Sequence, residues 1–580
     1  MASTPPIPNG IDFDKEFRAQ IAKLTGGLSP KAFSAAWADW ASHLALSPSR
    51  QLEIKQELLS RSADTWNFAL KALSGTPAAP SDDFDGTADP RFGKADWSQW
   101  PFNVYARAYQ NSAALVNMAV EGVEGVDPYQ EKLVQFAVRM LLDASAPSNY
   151  LGANPELLAL TQSEKGQNLV RGVKNWLEDI KNTLDGAAPT GTNEFEVGRT
   201  VAITPGKVIF RNELIELIQY SPATKTTHAE PLLIVPAWIM KYYILDLSPR
   251  NSLVKFLVDQ GHTVFMVSWK NPSPSDRDVS MEDYVTKGFR AALDAVTSVV
   301  PNRKVHSVGY CIGGTLLSIG AALLAHERDE RLASITLFAA QADFSEPGEL
   351  AYFINANQLA MLEATMYKKG VLESAQMGGA FALLRSRDLV WQPIINNYLK
   401  GQRDTMIDLM AWNADGTRMP YRMHTEYLNR LYLNNELATN KFSLNGQLIT
   451  LSDISVPMFV VGTETDHVAP WTSVYKIGNL VRSDDYSFLL TSGGHNAGII
   501  AGPVHPKRHF RLKTTGLNAA HIGTEQWLQT TEKQQGSWWP VWQHWLAAHS
   551  SGQTKPPQMG SSRKGYKSID DAPGSYVRQR

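Results

Sequence analysis

At 580 residues the chain is too long for one ordinary hydrophobic core, and it divides naturally into a small accessory part and a larger catalytic one. A formal net charge of -2 with 19% charged residues excludes the electrostatic footprint of a nucleic-acid binder and suits a small neutral substrate or a neutral surface. The single cysteine, Cys311, excludes an internal disulfide and a multi-thiolate zinc site, so this thiol asks for a chemical explanation of its own.

Residues 1–10 hold no basic stretch leading into an apolar run, and nowhere do about 18 apolar residues run together. A soluble, unsecreted protein without a transmembrane segment is therefore expected. Phe33, Trp37, Trp40, Ala41 and Leu44 fall at helical spacing behind Ser29-Pro30, which predicts an amphipathic helix with its cap and first turn. Similar patterns cover 52–73, 105–120, 132–142 and 169–184, separated by Gly/Pro/Asp-rich stretches such as 75–93. Residues 1–195 are read as a mainly α-helical N-terminal domain. Sixteen tryptophans and 10% aromatic residues fit apolar grooves offered to a greasy ligand, and large buried cores explain them equally well.

After Gly191 short β-rich runs appear at 208–220, 232–235, 263–269, 305–310, 334–339, 458–461 and 486–490, alternating with helical segments. Such alternation predicts an α/β catalytic domain over 196–550 built on a mostly parallel sheet. Between about 345 and 453 it lapses into a helical insertion rich in Tyr, Trp and Met, placed where a lid would lie. No internal repeat is found. Residues 551–580 carry Gly, Pro, Ser and Gln with six basic against two acidic side chains, and are expected to form a flexible basic tail.

The chemistry centres on Gly309-Tyr310-Cys311-Ile312-Gly313, where an apolar strand runs into a small-residue helix start. The spacing is that of a nucleophile elbow with sulfur in place of oxygen, the signature of an α/β-hydrolase fold. Residues two before and two after the nucleophile must lack side chains because the turn is so sharp. The positive end of the following helix favours an anionic sulfur. That fold orders its triad as nucleophile, acid, histidine. Asp466 follows the 458–461 strand and His495 follows the 486–490 strand, so Cys311, Asp466 and His495 are predicted to meet at one sheet edge. Asp343, just past the 334–339 strand, is the alternative acid. His467 is expected to support the acid loop, His306 precedes its strand on the wrong side, and His505 and His509 are expected at the surface. The oxyanion hole is expected to combine the backbone N–H of Ile312 with that of Ala237 or Trp238, since Pro236 has none. Lys507, Arg508 and Arg511 are candidate partners for phosphates, although solvated loop residues are the plainer reading. No metal or cofactor is called for.

A thiol nucleophile suits thioester substrates, because sulfur-to-sulfur acyl exchange is nearly isoenergetic and leaves the acyl group activated for a second transfer. That favours a transferase over a hydrolase.

These motifs resemble those of the polyhydroxyalkanoate synthases, especially the long single-subunit class I enzymes. Besides the elbow and Gly494-His495, the resemblance rests on Ser148-Asn149-Tyr150, Asn154-Pro155-Glu156, Glu196-Val197-Gly198-Arg199 and Lys241-Tyr242-Tyr243-Ile244-Leu245-Asp246-Leu247. It extends to Asp466-His467-Val468-Ala469-Pro470-Trp471 and Gly536-Ser537-Trp538-Trp539-Pro540. It implies an acyltransferase that polymerises (R)-3-hydroxyacyl-coenzyme A, short-chain units such as 3-hydroxybutyryl above all, into polyhydroxyalkanoate with release of coenzyme A. Cys311 would carry the growing chain, His495 would activate it, and Asp466 would assist His495 or help deprotonate the 3-hydroxyl. The family also implies a homodimer with Trp391 as a contact, a cytoplasmic location on polyester granules, and phasin-type proteins as further partners. One departure is the run Ala237-Trp238-Ile239-Met240, where many relatives carry a Pro-Cys-Ile-Asn-like sequence. Competing readings are a thioesterase or intracellular depolymerase using the same triad, and a non-catalytic granule-associated protein.

Overall fold

Strands whose side chains are buried on both faces organise the catalytic part of the chain. The computed structural model describes residues 13–25, 27–74, 89–92, 95–505, 507–516 and 522–580. Residues 1–10 and the 75–93 stretch, apart from 89–92, lie outside them. In chain order the strands are β1 (Gly206–Arg211), β2 (Ile215–Tyr220), β3 (Leu232–Val235), β4 (Val264–Trp269), β5 (Val305–Tyr310), β6 (Leu332–Phe338), β7 (Met458–Thr463), β8 (Tyr486–Thr491), β9 (His509–Thr515), β10 (Lys533–Gln535) and β11 (Asp570–Asp571). Among the described residues they form one sheet in the order β10-β9-β8-β7-β6-β5-β3-β4-β2-β1-β11. From β4 through β8 neighbouring strands run parallel, and antiparallel strands flank them on both sides.

The period-two alternation of each strand splits its apolar side chains between two cores. Leu233, Val235, Phe265, Val267, Leu337 and Val460 pack on one face with the helix Ile312–His326. Leu232, Ile234, Val264, Met266, Phe459 and Val461 pack on the other with Trp538 and the helix Trp539–Ala548. The expected single run over 208–220 is a hairpin: the Asn212 carboxamide oxygen accepts the N–H groups of Leu214 and Ile215 and turns the chain between β1 and β2.

Two compact units are present. One holds the described residues of 1–23, 191–378 and 406–580, including the whole sheet; the other holds those of 24–190 and 379–405. The helical insertion is thus divided between the units, with helices Ala356–Lys369, Asp408–Ala414 and Tyr421–Tyr427 in the first. The second unit is helical, with Pro30–Ala45, Pro48–Leu73, Phe102–Val120, Pro128–Ser145 and Gln167–Leu184 as its longer elements. Gly172 lets the last of these approach 379–405 closely, since a Cβ there would lie 1.8 Å from the carbonyl oxygen of Tyr398. Among the described residues no helix is long and apolar enough to cross a membrane.

Residues 551–580, expected as a flexible tail, are instead built into the first unit. β11 adds to β1, and the fully buried Glu216 accepts the N–H groups of Ser575 and Tyr576 and the Ser575 hydroxyl. Their polarity misled because the groups that satisfy it lie some 350 residues earlier in the chain.

Candidate active site

Four loops leave the C-terminal ends of parallel strands on the same side of the sheet, the usual position for a site in such a fold. They follow β3, β5, β7 and β8, and carry Ala237-Trp238, Cys311, Asp466 and His495 respectively. Cys311 caps the helix Ile312–His326 with φ +54° and ψ −128°, a strained conformation for a residue bearing a Cβ. Crowding around it explains the glycines. A Cβ on Gly309 would fall 2.4 Å from Cα of Gly314, and one on Gly313 would fall 2.3 Å from the carbonyl oxygen of Val235. The sulfur sits where the two cores meet, half-buried and in contact with both.

Nδ1 of His495 lies 2.7 Å from Oδ2 of Asp466. Oδ2 also accepts the Thr463 hydroxyl at 2.8 Å, and Oδ1 accepts the N–H groups of Val468 and Ala469, both at 2.9 Å. Burial pushes the Asp466 carboxyl up, but the charge of His495 and hydrogen bonds from His495, Ala469 and Thr463 outweigh it and hold the group below the ordinary carboxylate value. Burial likewise pulls protons off His495; the charges of Asp466 and Cys311, with hydrogen bonding to both, override this and hold the imidazole well above its ordinary value. Behind the imidazole, the Tyr310 ring stacks at 5.7 Å and its hydroxyl donates to the Asn496 side chain, which fixes the His495 loop.

The structure does not bring Asp343 to His495. Its Oδ1 accepts the Ser345 N–H and the Asn435 carboxamide at 2.8 and 2.9 Å, tying the end of β6 to the helical insertion. His306 is buried at the start of β5, 2.7 Å from the Ser334 hydroxyl. His505 bonds Asn251 at 3.1 Å. His509 is less exposed than expected and pairs with Glu464 at 2.9 Å. Lys507 is exposed, Arg508 donates to the Ser492 carbonyl and Arg511 to that of Thr531. Trp391 is half-buried in the second unit, which does not hold the cysteine.

In the loop after β3, the Pro236 carbonyl accepts the Trp269 indole at 2.8 Å and the Trp238 carbonyl accepts the Thr417 hydroxyl at 2.6 Å. A planar trans peptide aims its N–H opposite to its C=O, so the N–H of Ala237 points away from Trp269. Among the described residues no acceptor takes that N–H, nor the N–H of Ile312, which opens its helix.

Two residues escaped the sequence reading. Tyr427 and Tyr432, both from the insertion, are partly buried with their hydroxyls 3.4 Å apart. Burial first, and with it the charge at Cys311, raises both phenols above their ordinary value. The insertion's wealth of tyrosine was visible, but nothing in a helical pattern says which rings turn toward the sulfur. Among the described residues no group of three or more His, Cys, Asp or Glu side chains is placed to hold a metal.

Comparison with known proteins adds three family matches and two relatives. Residues 88–257 match the family described as "Poly-beta-hydroxybutyrate polymerase (PhaC) N-terminus", and residues 11–50 match one described as "Poly-beta-hydroxybutyrate polymerase N terminal". Residues 230–501 match the α/β hydrolase fold. The chain is 38% identical over 537 residues to the poly(3-hydroxyalkanoate) polymerase subunit PhaC of Rhizobium meliloti, covering 92% of this chain and 86% of that relative. It is 36% identical to the corresponding subunit of Cupriavidus necator, covering 85% of this chain and 83% of that one.

Proposed function

This chain belongs to the poly(3-hydroxyalkanoate) polymerase family, acyltransferases on an α/β-hydrolase fold, and from that premise we propose that Cys311, His495 and Asp466 form its acyl-transfer centre. The observation that carries the proposal is the strained cap at Cys311 beside an imidazole whose far nitrogen is held 2.7 Å from a buried carboxylate. Asp466 fixes the tautomer of His495 and stabilises its protonated form, leaving Nε2 for the reacting atoms.

The Cys311 thiolate attacks the carbonyl carbon of a 3-hydroxyacyl-coenzyme A. The resulting oxyanion is met by the N–H group of Ile312 together with that of Ala237 or Trp238. As the carbon–sulfur bond to coenzyme A breaks, the leaving thiolate takes the proton held by His495, and the acyl group remains on Cys311. The 3-hydroxyl of another hydroxyacyl unit then gives its proton to His495 and attacks the acyl-cysteine; an ester bond forms and the sulfur is released as thiolate. Tyr427, Tyr432 and the aromatic insertion keep water from competing with the alcohol. Assembly as a homodimer, with Trp391 at the contact, and residence on cytoplasmic polyester granules complete the reading, with short-chain units as the preferred monomers.

Labelled 3-hydroxybutyryl-coenzyme A, quenched early and followed by peptide mapping, should leave its label on the peptide containing Cys311, and Cys311→Ala should neither release coenzyme A nor take label. Label appearing only elsewhere sinks the proposal. A thioesterase would release thiol without polymer turbidity, whereas a polymerase gives both.

A further inference from the structure

The loop after β3 is held by chain segments far from it in sequence. Its Pro236 and Trp238 carbonyls are bonded to Trp269 and Thr417, and the Lys241 carbonyl accepts the Trp412 indole at 2.7 Å. The Lys241 side chain, only 4% exposed, turns inward. Its ammonium group donates to the backbone carbonyls of Val577, at 2.8 Å, and Gln579. Gln579 is fixed in turn: its side-chain oxygen accepts the Asn271 N–H at 3.0 Å. Asn271 accepts the N–H of Arg418 at 3.0 Å, and the Arg418 guanidinium donates to the Arg580 carbonyl at 3.1 Å. The loop, the residues after β4, the 412–418 segment and residues 577–580 thus close one hydrogen-bonded ring.

A buried ammonium needs its three N–H groups satisfied, because an uncompensated charge in the interior is very costly. The two acceptors the ammonium meets among the described residues are the carbonyls of residues 577 and 579. The neighbouring carboxylate, Asp415, instead accepts the Tyr243 hydroxyl at 3.0 Å. Lys241 closes the segment 237–240, which carries the second N–H assigned to the oxyanion beside that of Ile312. Where its head is anchored therefore sets where that backbone lies.

We propose that Lys241 is a positioning residue for acyl transfer: anchored on the carbonyls of Val577 and Gln579, it holds the loop after β3 in register with the reacting thioester, so that residues 577–579 act on a centre they do not touch. The proposal rests on the assignment of that loop to the oxyanion. It explains why the last stretch of the chain is bonded so fully to the catalytic unit.

The test compares the unaltered protein, Lys241→Met, a variant lacking residues 577–580, and the combination. Three quantities are read: the urea midpoint, the rate of Cys311 alkylation by iodoacetamide, and single-turnover release of coenzyme A from saturating 3-hydroxybutyryl-coenzyme A. Alkylation has no tetrahedral oxyanion and reports the thiolate alone. Each variant should alkylate at the unaltered rate yet release coenzyme A about 100-fold more slowly, the effect of an ångström-scale misplacement. The combination should be no slower than either alone, because both break one contact. A folded variant that acylates normally overturns the proposal. So does alkylation that slows in step with acylation, or a combined loss that equals the product of the two. If Lys241→Met does not fold, the deletion decides; if neither folds, the contact is structural and the proposal falls. Absence of label from Cys311 in the unaltered protein is a separate result, and it would sink the acyl-transfer reading itself.

Discussion

At His495 burial and charge pull in opposite directions, and charge prevails. Burial alone would keep it neutral, yet the charges of Asp466 and Cys311 hold its proton well past the ordinary histidine range. Because its folded value is raised, the stability it contributes is complete below the unfolded value and is lost as pH rises through the folded one. For Asp466, whose folded value is depressed, the contribution is present above the unfolded carboxylate value and is lost as pH falls through the folded one. Replacing Asp466 with Asn removes the favourable charge and leaves the burial. The imidazolium should then be less populated at neutral pH, and Cys311 should alkylate at least about tenfold more slowly at pH 7, the equivalent of one pKa unit on His495. An unchanged rate–pH profile would count against the pairing. The order of Cys311, Asp466 and His495 along the chain was legible because each follows a strand. The choice of Asp466 over Asp343 was a preference in sequence, and only the Asn435 and Ser345 bonds of Asp343 give that carboxylate its other employment.

At the scale of single elements, the elbow between β5 and the helix Ile312–His326 is the most constrained turn of the site. It was legible because the steric demand is local: two glycines, two residues either side of the nucleophile. Their neighbours are backbone atoms, which cannot move aside as a flexible side chain would. Gly313→Ala should therefore destabilise the protein by about 1–3 kcal/mol in urea unfolding and abolish release of coenzyme A. Gly378→Ala is the control. It lies inside the helix Ser374–Leu384 with nothing within 4 Å of the added Cβ, so it should be neutral or stabilising by about 0.5–1 kcal/mol. Equal losses in both variants would show that the elbow's crowding is not what matters. The loop after β3 was less legible. Its proline excluded one donor, but the direction of the remaining amides depends on Trp269 and Thr417, which no pattern around residue 237 announces.

Over the whole molecule, the end of the sheet opposite the site holds a different set of titratable groups. His262 stacks on His228 at 4.4 Å, and His306 is close enough for its charge to bear on His262 and to feel that of His228. Burial lowers His262 to about 3, helped by His228 and His306; it lowers His306 to about 4, and it lowers His424, in the insertion, to about 3. These folded values lie below the unfolded one of about 6.5, so the unfolded chain binds the extra protons. Stability should be full above about pH 6.5 and should fall on acidification by about 1.4 kcal/mol per histidine per pH unit until the folded values are reached. Urea midpoints that stay level between pH 7.5 and 5 would contradict this. By itself the sequence determined the features whose physics is local: the alternation of strand and helix, the bare elbow around Cys311, and the succession of nucleophile, acid and histidine. Which carboxylate meets the imidazole, which tyrosines face the sulfur, and the capture of residues 570–580 by Glu216 and Lys241 were decided only in three dimensions. Glu216 and Lys241 bond residues more than 300 positions away, and even the 29 positions between Asp466 and His495 leave no periodicity in either partner's neighbourhood.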